Sequence, residues 1–153
     1  MDKNIYMEKA LAQAKAAFEK DEVPIGAVVV NPENGEIVAE AHNLSEHGGN
    51  ALAHAEIEAM RLACEKLGCN RLRGMDLYVT LEPCTMCAAA ISFMRIANLY
   101  FGATDAKGGA VCSGVRFYEA PTCHHKPNVE SGILEEECSR LLKDFFKAKR
   151  KKK

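Results

Sequence analysis

The chain has 153 residues, 48% hydrophobic and 27% charged, which suits one globular domain with a sizeable core and excludes a disordered segment. Its start, Met1-Asp2-Lys3-Asn4, carries no secretory signal, and no apolar run is long enough for a membrane span. The expected setting is the cytoplasm, and the odd count of seven cysteines argues against a disulfide framework there.

The net charge of −1 conceals an asymmetry. From Lys143 to Lys153 seven basic residues face one acid, Asp144, so this segment carries +6 and the rest of the chain −7. A basic tail on an acidic body suits contact with a polyanion. The bland alternative is a solvated helix end, where the dipole favours cations.

Residues 3–20 predict a helix, with Met7, Ala10, Leu11, Ala14, Ala17 and Phe18 at three- and four-residue spacing. Asp21-Glu22 breaks it, and the run Ala27-Val28-Val29-Val30 predicts a strand covered on both faces. Asn34-Gly35 signals a reversal, and Glu36 to Ala41 a returning strand, hence a hairpin. After His42-Asn43 the segment from Leu44 to Asn50 reads as a loop. A helix from about Ala53 to Gly68 buries Ile57, Met60, Cys64 and Leu67, and Gly68 is a good C-terminal stop. Met75 to Leu81 is a strand, with Leu77, Val79 and Leu81 on one face. Pro83 then opens a short helix from Thr85 to Met94. Ile96 to Phe101 is a further strand, Gly102 to Pro127 an irregular segment, and a last helix runs from Ser131. Its stripe is Ile133, Leu134, Cys138, Leu141, Leu142 and Phe145. Cys64 and Cys138 read as small core residues, while Cys69, Cys112 and Cys123 fall in loops without a role. Alternating strands and helices predict an α/β layered fold, mostly parallel after the opening hairpin.

Two helix starts carry chemistry. Cys84 and Cys87, three apart, present thiols in one direction, and His54 offers an imidazole. Two thiolates and one imidazole form a three-ligand zinc set with a fourth position left for water, as catalytic sites have. A helix N-terminus favours the thiolate. Glu56, two residues after His54, is placed to move protons at that water. Each piece has an ordinary reading: a redox Cys-x-x-Cys, a surface histidine, an acid in a helix first turn. A His-x-Glu and a Pro-Cys-x-x-Cys, each at a helix start, form a specific combination.

That combination, His54-Ala55-Glu56 with Pro83-Cys84-Thr85-Met86-Cys87, resembles the signature of the cytidine deaminase-like zinc deaminases. The Val23-Pro24-Ile25-Gly26 turn, Asn43, Leu77 to Cys84, Phe101-Gly102-Ala103 with Asp105-Ala106-Lys107, and Leu142 to Phe146 extend it. Over nearly the whole chain they resemble the bacterial tRNA-specific adenosine deaminases. The resemblance implies a three-layer cytidine deaminase-like fold, a mixed sheet of about five strands between helices. It also implies one zinc-dependent deaminase domain over 1–153, a homodimer with one Zn2+ per chain, and conversion of adenosine to inosine at the wobble position of an arginine tRNA anticodon loop. By motif, His54, Cys84 and Cys87 would hold the metal and Glu56 would be catalytic. Asn43, Ala55, Ile25, Asp105 and Phe146 would meet the substrate. Asn43 could equally be an end-of-strand turn residue, Asp105 a loop cap and Phe146 core. The segment Gly48 to Ala53 departs from the family's usual lead-in to the histidine. His124 and His125 could be extra ligands or polar loop residues. The competing activity is deamination of a free base or nucleoside such as guanine, cytosine or cytidine. The non-enzymatic alternative is a structural zinc module that binds RNA, which requires a fourth protein ligand.

Overall fold

The computed structural model describes residues 2–151, so Lys152 and Lys153 of the basic tail lie outside the described residues. In chain order the elements are helix α1 (Lys3–Glu19), strands β1 (Gly26–Asn31) and β2 (Glu36–His42), helix α2 (Ala55–Leu67), strand β3 (Asp76–Leu81), helix α3 (Thr85–Phe93), strands β4 (Asn98–Ala103) and β5 (Asn128–Glu130), and helix α4 (Glu135–Lys151). The sheet order is β2-β1-β3-β4-β5. β1 pairs antiparallel with both β2 and β3. The β3–β4 and β4–β5 pairs are parallel, so the sheet is mixed, with the parallel strands after the hairpin as expected.

The alternating side chains of the central strands build two cores. Ala27, Val29, Leu77, Val79, Leu99 and Phe101 face α2 and α3, where Ala55, Ala59, Met60, Ala63, Ala88 and Ile91 meet them. Val28, Val30 and Tyr78 face the other way, against Tyr6, Met7, Ala10 and Leu11 of α1 and Cys138 of α4. Helices therefore cover both faces, which is why Ala27 to Val30 are fully buried with no polar alternation. Burying each such valine contributes about 1.5–3 kcal/mol. Because α2 and α3 share a face, their N-terminal ends can meet.

Several boundaries move. β4 starts two residues later than its apolar pattern predicts, because Ile96 is buried in the connection before the strand. The segment from Gly102 contains the end of β4 and a 3-10 turn, Phe117–Glu119, and the unpredicted β5 follows it. α4 starts at Glu135, not Ser131: Gly132 (φ 84°) and Leu134 (φ 53°) are left-handed, a conformation that ends any helix. Ile133 still enters the core from that turn. On α2 the buried residues are Ala55, Glu56, Ala59, Met60 and Ala63. Ile57 and Cys64 are half-buried and Leu67 is exposed, because the helix lays its small residues on the sheet and leaves its larger ones at the edge. Leu81, expected on the face of Leu77 and Val79, packs with the α1 side instead. α4 approaches β4 closely at Gly102, where a Cβ would sit 2.4 Å from the Cys138 sulfur.

Candidate active site

His54 and Cys84 are the N-cap residues of α2 and α3, with extended backbones at φ −72°, ψ 154° and φ −74°, ψ 177°. α2 begins at Ala55, not at about Ala53, so His54 caps the helix from outside its first turn, while α3 begins at Thr85 as expected. Each residue's carbonyl accepts the first helical bond, from Glu58 N and Ala88 N respectively, while its side chain turns across the helix end. Cys87 follows inside the first turn of α3 and is fully buried.

This geometry brings the three groups together. His54 Nδ1 lies 3.6 Å from Cys84 Sγ and 3.5 Å from Cys87 Sγ, and the three ligand atoms all lie within 4.8 Å of one another. Ligands on a tetrahedral zinc with bonds of about 2.0–2.3 Å stand roughly 3.4–3.8 Å apart, so the triangle fits such an ion with little movement. One imidazole and two thiols are also a donor set that zinc favours. Among the described residues this is the one such group of three or more. His124 and His125 are not part of it; His125 Nε2 instead bonds the Ile96 carbonyl at 2.7 Å and secures the loop before β5.

The electrostatics follow from burial and proximity. The bond from Cys87 brings the Cys84 thiol down to about 4. Cys87 is pushed up in return, by that same bond and by its burial. His54 is raised by its bond to Cys84. Glu56, in the first turn of α2, is 4% exposed, and desolvation lifts its carboxyl to about 7. A carboxyl there can change protonation state at neutral pH, as a proton shuttle requires.

The other candidates divide. Ile25 and Asn43 are brought together, because Asn43 N donates to the Ile25 carbonyl at 3.1 Å. The Asn43 Oδ1 also accepts from Ser45 N and Oγ, which is the turn role read from the sequence. Ala55 is fully buried as the residue between His54 and Glu56. Asp105 caps its loop, with Oδ1 accepting from Lys107 N and Gly108 N. Phe146 is 46% exposed beside buried Phe145, so the core reading of Phe146 is excluded. Phe145 packs edge-on against Phe18, and Lys149 pairs with Asp21 at 2.6 Å, which lays the basic end of α4 along the end of α1.

Besides Glu56, three carboxylates are buried among the described residues, Glu22, Asp76 and Glu82, and Glu22 and Glu82 each hold a loop. Glu22, fully buried after α1, accepts from the N–H groups of Glu46 and His47 and ties down the loop before α2. Glu82, two residues before Cys84, accepts from Asp105, Val111, Cys112 and Ser113. Their partners are backbone groups 23–31 residues away in the chain, which leave no mark in side-chain pattern. The one available signal is Gly108-Gly109, small residues where a loop closes round a side chain.

A profile of the MafB19-like deaminases matches residues 1–150. A relative from Agrobacterium fabrum, named tRNA-specific adenosine deaminase, is 58% identical over 95% of this chain and 94% of its own length. The chain belongs to the tRNA-specific adenosine deaminase family. Among solved structures, one from a study of A-to-I editing by tRNA:A34 deaminases at the wobble position of transfer RNA superposes with a TM-score of 0.87 at 58% identity, covering 90% of this chain and 99% of the other. A guanine deaminase from Nitrosomonas europaea superposes with a TM-score of 0.82 at 23% identity, over 94% of this chain and 84% of that one, and shares the fold. The family member thus has the cytidine deaminase-like architecture that the motifs implied.

Proposed function

We propose that this protein is a zinc-dependent hydrolytic deaminase that converts adenosine to inosine at the wobble position of an arginine tRNA anticodon loop. The observation that carries the reading is the convergence of His54, Cys84 and Cys87 beside buried Glu56. It occurs in a chain similar along its length to the tRNA-specific enzymes. The whole chain, 1–153, acts as one deaminase domain.

His54 Nδ1 and the sulfurs of Cys84 and Cys87 would hold the Zn2+. When bound, that ion would supply Lewis acidity to the reaction. Glu56 takes a proton from the water and returns it to the amino group of the base. The water oxygen replaces the nitrogen, and ammonia leaves. Burial of the carboxyl favours its protonated form, which suits a group that must hold the proton between the water and the leaving nitrogen. Ile25 forms a wall for the flipped adenine with Ala55 buried behind it, and Asn43, whose Oδ1 already accepts from Ser45, reads the base edge through its amide N–H donors.

Outside the pocket, Asp105 and exposed Phe146 lie along the path of the loop, where an unpaired base can stack on the aromatic ring. The basic end of α4 meets phosphates. The protein works as a cytoplasmic homodimer. Support for the dimer is an apolar groove of about 890 Å³ between α2 and α3, lined by Ile57, Met60, Cys64, Ala90 and Met94, with Phe93 exposed beside it. Among the described residues no helix is long and apolar enough to cross a membrane.

The deciding experiment offers the purified protein an arginine tRNA anticodon stem-loop, free adenosine, guanine and cytidine. Inosine formed in the stem-loop alone supports the reading. Turnover of a free base or nucleoside with an untouched stem-loop replaces it with the competing activity.

A further inference from the structure

Glu82 is 3% exposed and its carboxylate faces no cation that pairs with it among the described residues. Its charge is met by the loop after β4. Oε1 accepts from Asp105 N at 2.9 Å and Ser113 Oγ at 3.0 Å. Oε2 accepts from the N–H groups of Val111, Cys112 and Ser113 at 3.0, 2.8 and 2.9 Å. Successive backbone N–H groups curled round one anion form a nest of the kind that elsewhere binds phosphate. Here the anion is a side chain of the same protein.

The nest is tight. A Cβ on Gly109 would come within 2.5 Å of the Glu82 carboxyl carbon and 2.6 Å of the Asp105 carbonyl oxygen. The loop is also bonded to the metal turn itself, through Ala110 N to the Pro83 carbonyl at 2.9 Å. One carboxylate therefore joins the turn that carries Cys84 to the loop that presents half-buried Asp105 and exposed Lys107.

We infer that Glu82 is a positioning residue for the polynucleotide substrate: its carboxylate templates the 105–113 loop and holds it at a set distance from the metal turn. The inference rests on the functional reading above and concerns how the enzyme engages RNA outside the pocket. Since the nest N–H groups are occupied from within, the loop meets RNA through side chains, with Asp105 in a fixed place. Glu82 touches neither the base nor the ligand atoms, so its effect falls on substrate engagement more than on the chemical step.

The test compares wild type with E82Q, S113A and G109A, reading zinc per chain, amide hydrogen exchange at 105 and 111–113, and kcat and KM on the anticodon stem-loop. In E82Q one acceptor oxygen becomes a donor facing donors. Expected are zinc retention, faster exchange at those amides, and a KM increase that exceeds any fall in kcat by about tenfold. S113A, which loses one bond, raises KM about two- to threefold, and G109A, which presses on an intact carboxylate, matches the direction of E82Q. If E82Q does not fold, S113A and G109A decide: an unchanged KM in both overturns the inference. It is also overturned if loop amides are freed while KM stays, or if zinc and kcat fall together at constant KM, which would make Glu82 a support of the metal turn alone. A wild-type protein inactive on the stem-loop sinks the functional reading as well; an active one with unmoved KM in the variants sinks only this role.

Discussion

His54 Nδ1 lies 3.5 Å from the sulfur of Cys87, although 33 residues separate them in the chain. The contact exists because two helices on the same face of the sheet begin side by side. A cap residue on one end and a first-turn residue on the other then meet over a short gap. Losing either group leaves an ion with two protein ligands. H54A and C87A are expected to fall from about one zinc per chain to well below it, with activity reduced by more than the roughly 10–100-fold typical of outer-shell changes. Metal analysis after dialysis, run beside the activity assay, checks both; full zinc in either variant would contradict the assignment.

Glu56→Gln separates binding from chemistry. The amide keeps the size of the side chain and removes its ability to take up and release a proton. Zinc content and fold are expected to stay, while kcat drops by about 10²–10⁴, the usual scale of a lost acid–base group. Turnover within a few-fold of wild type would take Glu56 out of the mechanism.

Adjacent phenylalanines on α4 are expected to behave oppositely. Phe145 is buried against Phe18, so Phe145→Ala should lower stability by about 3–5 kcal/mol. Phe146 is half exposed; its alanine variant should change stability by under about 1 kcal/mol, as surface changes do, and raise KM for the stem-loop several-fold. Urea unfolding and steady-state kinetics on both variants measure the contrast. A stability loss at Phe146 equal to that at Phe145 would place it in the core after all.

Burial raises the Cys138 thiol from 9.0 to about 12. An acid whose folded pKa is raised binds its proton more firmly when folded, so folding is favoured below the unfolded pKa and loses that advantage as pH rises through the window of about 9 to 12. The stability of wild type over C138A should therefore shrink by up to about 1.4 kcal/mol per pH unit across the lower part of that window. Denaturant midpoints for both proteins at pH 8, 9 and 10 provide the comparison. A constant difference would mean that the thiol titrates normally.

Residues whose side chains announce their surroundings were legible before any coordinates. The run Ala27 to Val30 could only suit a strand with both faces covered. The pairing of His54-x-Glu56 with Pro83-Cys84-x-x-Cys87 named its own chemistry, because imidazole, thiol and carboxyl are scarce and their spacings few. What stayed hidden was set by backbone. β5 is exposed at all three positions, so no hydrophobic alternation marks it; it exists because β4 offers it a parallel edge. α4 starts later than its stripe suggests: Ile133 and Leu134 fit the helical spacing, and left-handed backbone at Gly132 and Leu134 overrides that fit. Glu82 was visible only as a letter within a motif, and its use depends on N–H groups that every residue carries.

The brevity of β5 has an effect unrelated to chemistry. The strand offers three residues to any newcomer and fastens its last one, Glu130, to Lys3 through an ion pair at 2.7 Å. A stubby, charged margin of this kind gives a foreign strand little to zip onto. Strand-to-strand association along that side of the sheet is therefore discouraged.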